Sequence, residues 1–311
     1  MFLVTLLIGL LMLVGGAELV VRGGGQVALA MRIPALIVGL TIVAFGTSAP
    51  ELGVSLAAAM GPGTEMALAN VIGSNIANIV LVLGLSALVR PLLLDERVAR
   101  REIPVCVLLQ IMVPLFALNG VIGRAEGLAL FAVGVGYNVW LIREARIRRA
   151  RVLDDEEEIV ASDGSTAYHL LQLFAGIALI GVGSYLFVGG AEVIALKLGL
   201  SPRYVGLTVV ALGTSAPELA TSIMSSYRGE SDLAVGNVLG SNILNITLVL
   251  ALTTLIQPIQ LPNGDANVDL GVAFVATLLM LPLVLRDRPL GRLEGGVLAG
   301  GYLAYVLLTP M

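Results

Sequence analysis

Charge is scarce in this chain. Of its 311 residues only 13% are Asp, Glu, Lys or Arg, where a soluble globular domain carries roughly 25%. Histidine occurs once, at His169, and cysteine once, at Cys106. One cysteine excludes an intrachain disulfide framework and a cysteine-built metal cluster, and one histidine excludes an imidazole-rich site. What fills the chain is apolar: 57% hydrophobic residues, 37 glycines and a mean hydropathy of +0.96. Apolar runs of ~18–25 residues, the length needed to cross about 30 Å of hydrocarbon, recur throughout. Residues 1–21 lack a basic leader and a small-residue cleavage pattern, so they read as a helix and not a signal peptide. The net charge of −4 says little about partners.

The runs predict an all-α membrane protein with ten transmembrane helices, near 2–22, 35–60, 65–89, 102–119, 123–143, 168–196, 203–227, 232–257, 268–285 and 292–309. With the N-terminus outside, fifteen of the 18 Lys and Arg fall on inner connections, and only Arg124, Lys197 and Arg203 fall outside. That bias is the positive-inside pattern, and it places both termini outside the cytoplasm. The longest connection, 144–167, holds RRAR followed by DDEEE and is the one linker. DDEEE lacks the spacing of a calcium loop and reads as a solvated acidic turn. GGGQ at 23–26 lacks the lysine of a phosphate loop and reads as a flexible hinge. Glu18 and Glu192, each in GGAE, sit near helix ends; Glu18 can pair with Arg22 one turn on, in an interfacial or a gating role.

The sequence repeats itself. GLTIVAFGTSAPEL at 39–52 returns as GLTVVALGTSAPEL at 206–219, identical at 12 of 14 positions. NVIGSNIANI at 70–79 returns as NVLGSNILNI at 237–246, identical at 8 of 10, and both pairs are offset by 167 residues. GGAE at 15–18 returns at 189–192, offset by 174. The chain therefore divides into a five-helix repeat at 1–143, the linker at 144–167 and a second repeat at 168–311. Five is odd, so the second copy enters the membrane from the opposite side. Inverted repeats of this kind bring equivalent residues to the midplane and suit alternating access.

Each repeat places a glutamate, Glu51 or Glu218, inside an apolar span, where an acid costs ~2.5–3.5 kcal/mol. No Lys or Arg stands within the four motif helices away from their ends. A cation or a proton is the remaining compensation. The companions all bear oxygen. Thr47 and Ser48 precede Glu51 by four and three residues, on one helical face, as Thr214 and Ser215 precede Glu218. Ser74 and Asn78 are four apart, as are Ser241 and Asn245. Pro50 and Pro217 remove the amide donors to the carbonyls of Gly46 and Gly213, making backbone oxygen available as ligand. Such oxygens suit hard cations such as Ca2+ and Na+.

At these motifs the chain resembles the sodium/calcium exchanger family of cation/calcium antiporters in its short prokaryotic form. GTSAPE followed by GSNxxN in both halves carries the resemblance. It implies a prokaryotic cell-membrane antiporter with ions bound between the second, third, seventh and eighth helices, the first and sixth sliding as a gating pair. It also implies Glu51 and Glu218 as shared carboxylate ligands of Ca2+ and Na+. Thr47, Ser48, Thr214 and Ser215 would ligate Na+, Ser74 and Ser241 would add ligands, the carbonyls of Ala44 and Ala211 would serve outer sodium sites, and Asn78 and Asn245 would fill the centre. Some relatives carry Asp at the position of Asn245, and its absence points away from potassium co-transport. The implied exchange is about three Na+ per Ca2+, with proton coupling as the alternative. No catalytic residue, cofactor, nucleic acid or obligate protein partner is expected.

Overall fold

The structure, a computed structural model, describes residues 2–61, 64–93, 98–154, 164–198, 211–261, 265–280 and 288–308. Arg97, Arg203, Arg286, the DDEEE run beyond Asp154, the first half of the seventh predicted span and the end of the ninth lie outside the described residues.

Helices account for nearly all of it. In the first half they are α1 (Phe2–Met31), α2 (Ala35–Thr47), α3 (Ala49–Met60), α4 (Met66–Val89), α5 (Ile103–Phe116) and α6 (Arg124–Asp154). In the second they are α7 (Thr166–Lys197), α8 (Ala211–Thr214), α9 (Ala216–Arg228), α10 (Ser231–Ile256), α11 (Asp265–Leu278) and α12 (Arg292–Leu308). Among the described residues five helices (α1, α4, α6, α7 and α10) are long and apolar enough to cross a membrane, and α2 with α3, bent by 45° at the break between them, makes six if the pair is one span.

Two strand-like links stitch the halves together, which an all-helical reading did not foresee. Val121–Ile122 (β1) pairs antiparallel with Ile259–Gln260 (β2), and Leu92 bridges to Leu290. Leu92 stands 167 residues before Ile259, so the two links are counterparts.

The middle of the molecule is built from α4 and α10, whose apolar windows are each 78% buried, against 33% for α1 and 28% for α6 and α7. They need small contact residues to approach their neighbours, and α10 has them: a Cβ on Gly240 would stand 2.7 Å from the Leu40 carbonyl oxygen of α2. Bulky side chains then fill in around that contact, Ile72, Ile76, Val238 and Ile243 among them.

On the flank, α1 and α7 lie against each other along their full length. Gly9, Gly16 and Gly23 repeat every seven residues on α1, as do Gly176, Gly183 and Gly190 on α7. A Cβ on Gly16 would sit 2.8 Å from the Gly176 carbonyl oxygen, and one on Gly183 would sit 2.8 Å from the Leu13 nitrogen. This close contact overturns one expectation. GGGQ is no hinge: α1 runs unbroken to Met31, with Gly23 and Gly24 buried. Arg22 does not end the helix because it pairs with Glu18 one turn earlier.

Candidate cation site

The site lies where the two copies of GTSAPE meet α4 and α10. Proline fits the first turn of a helix, where its missing N–H has no partner to lose. Pro50 and Pro217 accordingly open α3 and α9, while Ser48 (φ −83°, ψ 6°) and Ser215 (φ −85°, ψ 4°) fall outside helical geometry just before them. Thr47, Ser48 and Glu51 therefore do not share one continuous helical face: the break at Ser48 turns Glu51 onto a new axis. The Ser48 N–H still reaches the Ala44 carbonyl at 2.9 Å, so the bend leaves the chain's hydrogen bonding nearly intact.

Both carboxylates are fully buried and lie within electrostatic reach of each other. Ser48 of the first half donates to Glu218 Oε1 of the second at 3.0 Å. Ser241 lies 3.3 Å from the same oxygen, and Ser74 lies 3.5 Å from Glu51 Oε1. Thr47 Oγ1 stands 3.0 Å from Asn237 Oδ1 and 3.4 Å from Ser241 Oγ; Thr214 Oγ1 stands 3.5 Å from Asn70 Oδ1. Ala44 O also receives the Thr47 hydroxyl at 3.3 Å, and Ala211 opens the single turn of α8. Among the described residues no Lys, Arg or His pairs with Glu51 or Glu218, and no three His, Cys, Asp or Glu side chains gather.

Several residues of this centre went unnoticed in the sequence. Asn75 and Asn242 face each other across the halves, each amide nitrogen approaching the other's backbone carbonyl, at 3.4 and 3.3 Å. Asn78 Nδ2 donates to Asn242 Oδ1, and Asn245 Nδ2 to Asn75 Oδ1, both at 3.0 Å. Beneath the glutamates, Asn70 donates to Ser55 Oγ at 2.9 Å and Asn237 donates to Ser222 Oγ at 3.0 Å. The same amides reach the backbone carbonyls of Glu51 and Glu218, at 3.2 and 3.4 Å. The missed signal was available, because every one of these residues recurs at the 167-residue offset.

With the amide nitrogens engaged, oxygen is what remains. Among the described residues Glu51 Oε2, Glu218 Oε2, Asn78 Oδ1, Asn245 Oδ1 and Ser215 Oγ are buried without a hydrogen-bond partner. Asn78 and Asn245 also lie in π-helical turns, Ala77–Val82 and Asn245–Leu250, the kind of irregularity that re-aims side chains at functional sites. Buried polar atoms are nearly always bonded, so these five orphaned oxygens, two of them from the carboxylates, amount to a donor set for a hard cation.

The Gly213 carbonyl corrects an expectation. Pro217 leaves it without an amide donor, but Ser184 of α7 donates to it at 2.7 Å, so it is not a spare ligand. Glu18 ion-pairs with Arg228 at the end of α9 as well as with Arg22. The remaining single residues pack: Cys106 and His169 are buried, and Trp140 lies under the Arg101 guanidinium, 4.1 Å from ring centroid to Cζ.

Comparison with known proteins agrees along the whole chain. The family described as sodium/calcium exchanger protein matches residues 1–143 and 168–310. The inner membrane protein YrbG of Escherichia coli is 36% identical over 97% of this chain and 95% of its own. The putative antiporter CaxA of Alkalimonas amylolytica is 37% identical, over 98% and 97%. Among solved structures, the sodium-calcium exchanger NCX_Mj soaked with zero Na+ and Ca2+ superposes with a TM-score of 0.87 at 29% identity, covering 99% of both chains.

Proposed function

The chain belongs to the sodium/calcium exchanger family of membrane cation/calcium antiporters, and on that premise we propose that it exchanges Na+ for Ca2+ at the Glu51–Glu218 site by alternating access. The orphaned oxygen set carries this reading. Two carboxylates, two amide oxygens and a serine hydroxyl, buried with no basic side chain among the described residues paired to either glutamate, are what a dehydrated Ca2+ or Na+ would require. Thr47, Ser48, Thr214, Ser74 and Ser241 complete the shell, with the Ala44 and Ala211 carbonyls toward its rim. The ten spans form two inverted five-helix repeats in a prokaryotic cell membrane, both termini extracytoplasmic, with the linker at 144–167 in the cytoplasm.

Charge sets the coupling. With both glutamates ionised the empty site is −2, so one Ca2+ brings it to zero and three Na+ bring it to +1. A loaded site differing by one charge between its two cargoes makes exchange sensitive to membrane potential, by ~2.3 kcal/mol per charge per 100 mV. The test is Ca2+ uptake into Na+-loaded proteoliposomes, repeated with K+ inside and with a pH gradient alone. Uptake that needs Na+ and follows the imposed voltage supports the reading. Uptake driven by the pH gradient without Na+ would reassign the coupling ion to the proton.

A further inference from the structure

Below Glu218, α9 carries hydroxyls that the site does not use. Thr221, Ser222, Ser225 and Ser226 follow Glu218 along one face of the helix toward Arg228, and none is more than 1% exposed. Two have structural duties. Ser222 accepts from Asn237 at 3.0 Å, as Ser55 does from Asn70 in the first half, and Ser226 donates to the Ser86 carbonyl at 2.6 Å. Among the described residues Thr221 Oγ1 and Ser225 Oγ are buried without a hydrogen-bond partner, and so is Ser86 Oγ on the neighbouring α4.

A buried threonine in an apolar helix has an easy remedy: it turns its hydroxyl back to the carbonyl one turn earlier. Thr247, Thr253 and Thr277 do so, at 2.7, 2.7 and 2.8 Å. Thr221 does not. Nor does the fold demand hydroxyls here. The matched positions of α3, 167 residues earlier, are Val54, which is half-buried, and Ala58 and Ala59, which are buried. Only the shared serine recurs, so the extra hydroxyls belong to one side of the molecule.

We infer that Thr221 and Ser225 form a transient cation-coordinating step between the Glu51–Glu218 site and the membrane face where α9 ends. A hard cation leaving Glu218 toward that face has shed its water, and two successive hydroxyl oxygens one helical turn apart replace part of that shell. The opposite route, past α3, has no such step. This inference rests on the antiport reading and deepens it by giving the two exits different chemistry.

The experiment uses right-side-out and inside-out proteoliposomes of the full chain, comparing wild type with Thr221→Val/Ser225→Ala and with the mirror change Val54→Thr/Ala58→Ser. We expect Thr221→Val/Ser225→Ala to slow exchange about tenfold and to raise the half-saturating Ca2+ concentration only on the face where α9 ends. A second measurement places Ser225→Cys in a Cys106→Ala background and applies a membrane-impermeant thiol reagent from each side. Labelling from the α9 side alone, slowed by Ca2+, is expected. Unchanged exchange in Thr221→Val/Ser225→Ala overturns the inference, as does an equal change on both faces or failure of the thiol to label under any ionic condition. A wild-type chain that moves no Ca2+ would instead sink the antiport reading, and the labelling would still report access.

Discussion

Gly46 and Gly213 hold the same place in the two copies of GTSAPE, yet both lie against the same helix. A Cβ on Gly46 would meet Ile177 at 2.6 Å, and one on Gly213 would meet the Val188 side chain; both partners belong to α7. By the internal repeat, the matching residues of α1 are Leu3 and Val14, and both are exposed. Around the breaks the contrast continues. Ala49 is exposed and Pro50 half-buried, whereas Ala216 and Pro217 are buried. Ser184 of α7 caps the Gly213 carbonyl, while its counterpart on α1 is Leu10, which has no hydroxyl to offer. Near-identical sequences thus sit in unlike surroundings. A shared motif sets the chemistry of each half-site, and the flanking helices set how tightly each is closed.

The largest effect should come where the halves are most alike. Glu51→Gln and Glu218→Gln should each abolish Ca2+ exchange in proteoliposomes while the protein still elutes as a folded species, since either removes a carboxylate from a shared site. A variant exchanging at the wild-type rate would show that its half is not part of that site. Next come the seam glycines. Gly16→Leu and Gly183→Leu force side chains into the facing backbone, and overpacking costs ~1–3 kcal/mol or more; a lowered midpoint in thermal unfolding in detergent checks this, and Gly136→Leu, at a position with open space around it, should not show it. Ser184→Ala tests the asymmetry directly. Losing one hydrogen bond of ~0.5–1.5 kcal/mol should change the exchange rate several-fold, whereas Leu10→Ala should leave it alone. The smallest effect belongs to Arg228→Gln. An exposed ion pair contributes ~0–1 kcal/mol, so the coupling between Glu18→Gln and Arg228→Gln in a double-mutant cycle should be within that range and shrink in high salt.

Much of the site was legible because it is written twice. A glutamate in an apolar run is anomalous by itself, and its return at a fixed offset with Thr, Ser and Asn in register singled out the residues that the fold brings together. Asn75, Asn242, Asn70 and Asn237 escaped because an asparagine in a membrane helix reads equally well as packing glue; only the fold shows that Asn75 and Asn242 take up the amide nitrogens of Asn245 and Asn78, and that Asn70 and Asn237 bond to Ser55 and Ser222. Helix ends were the weaker reading. Arg22 looked like a terminus because charge usually marks the membrane surface, but its pairing with Glu18 satisfies it within a helix that continues for nine more residues to Met31. The carbonyl of Gly213 looked available because proline removes its local donor, and nothing in the local sequence announces a serine from 29 residues away.

The glycine seam between α1 and α7 has a consequence for fidelity. Two helices in backbone contact at intervals of seven residues cannot shift separately without giving up that contact along the whole seam, so they act as a single slab lying beside both halves. For a carrier that builds one gradient by running down another, the hazard is slippage: a moment in which both doors stand ajar and ions pass uncoupled. On the exchange proposed above, a slab shared by the two doors makes such a moment costly, and the glycine seam is a device against leak.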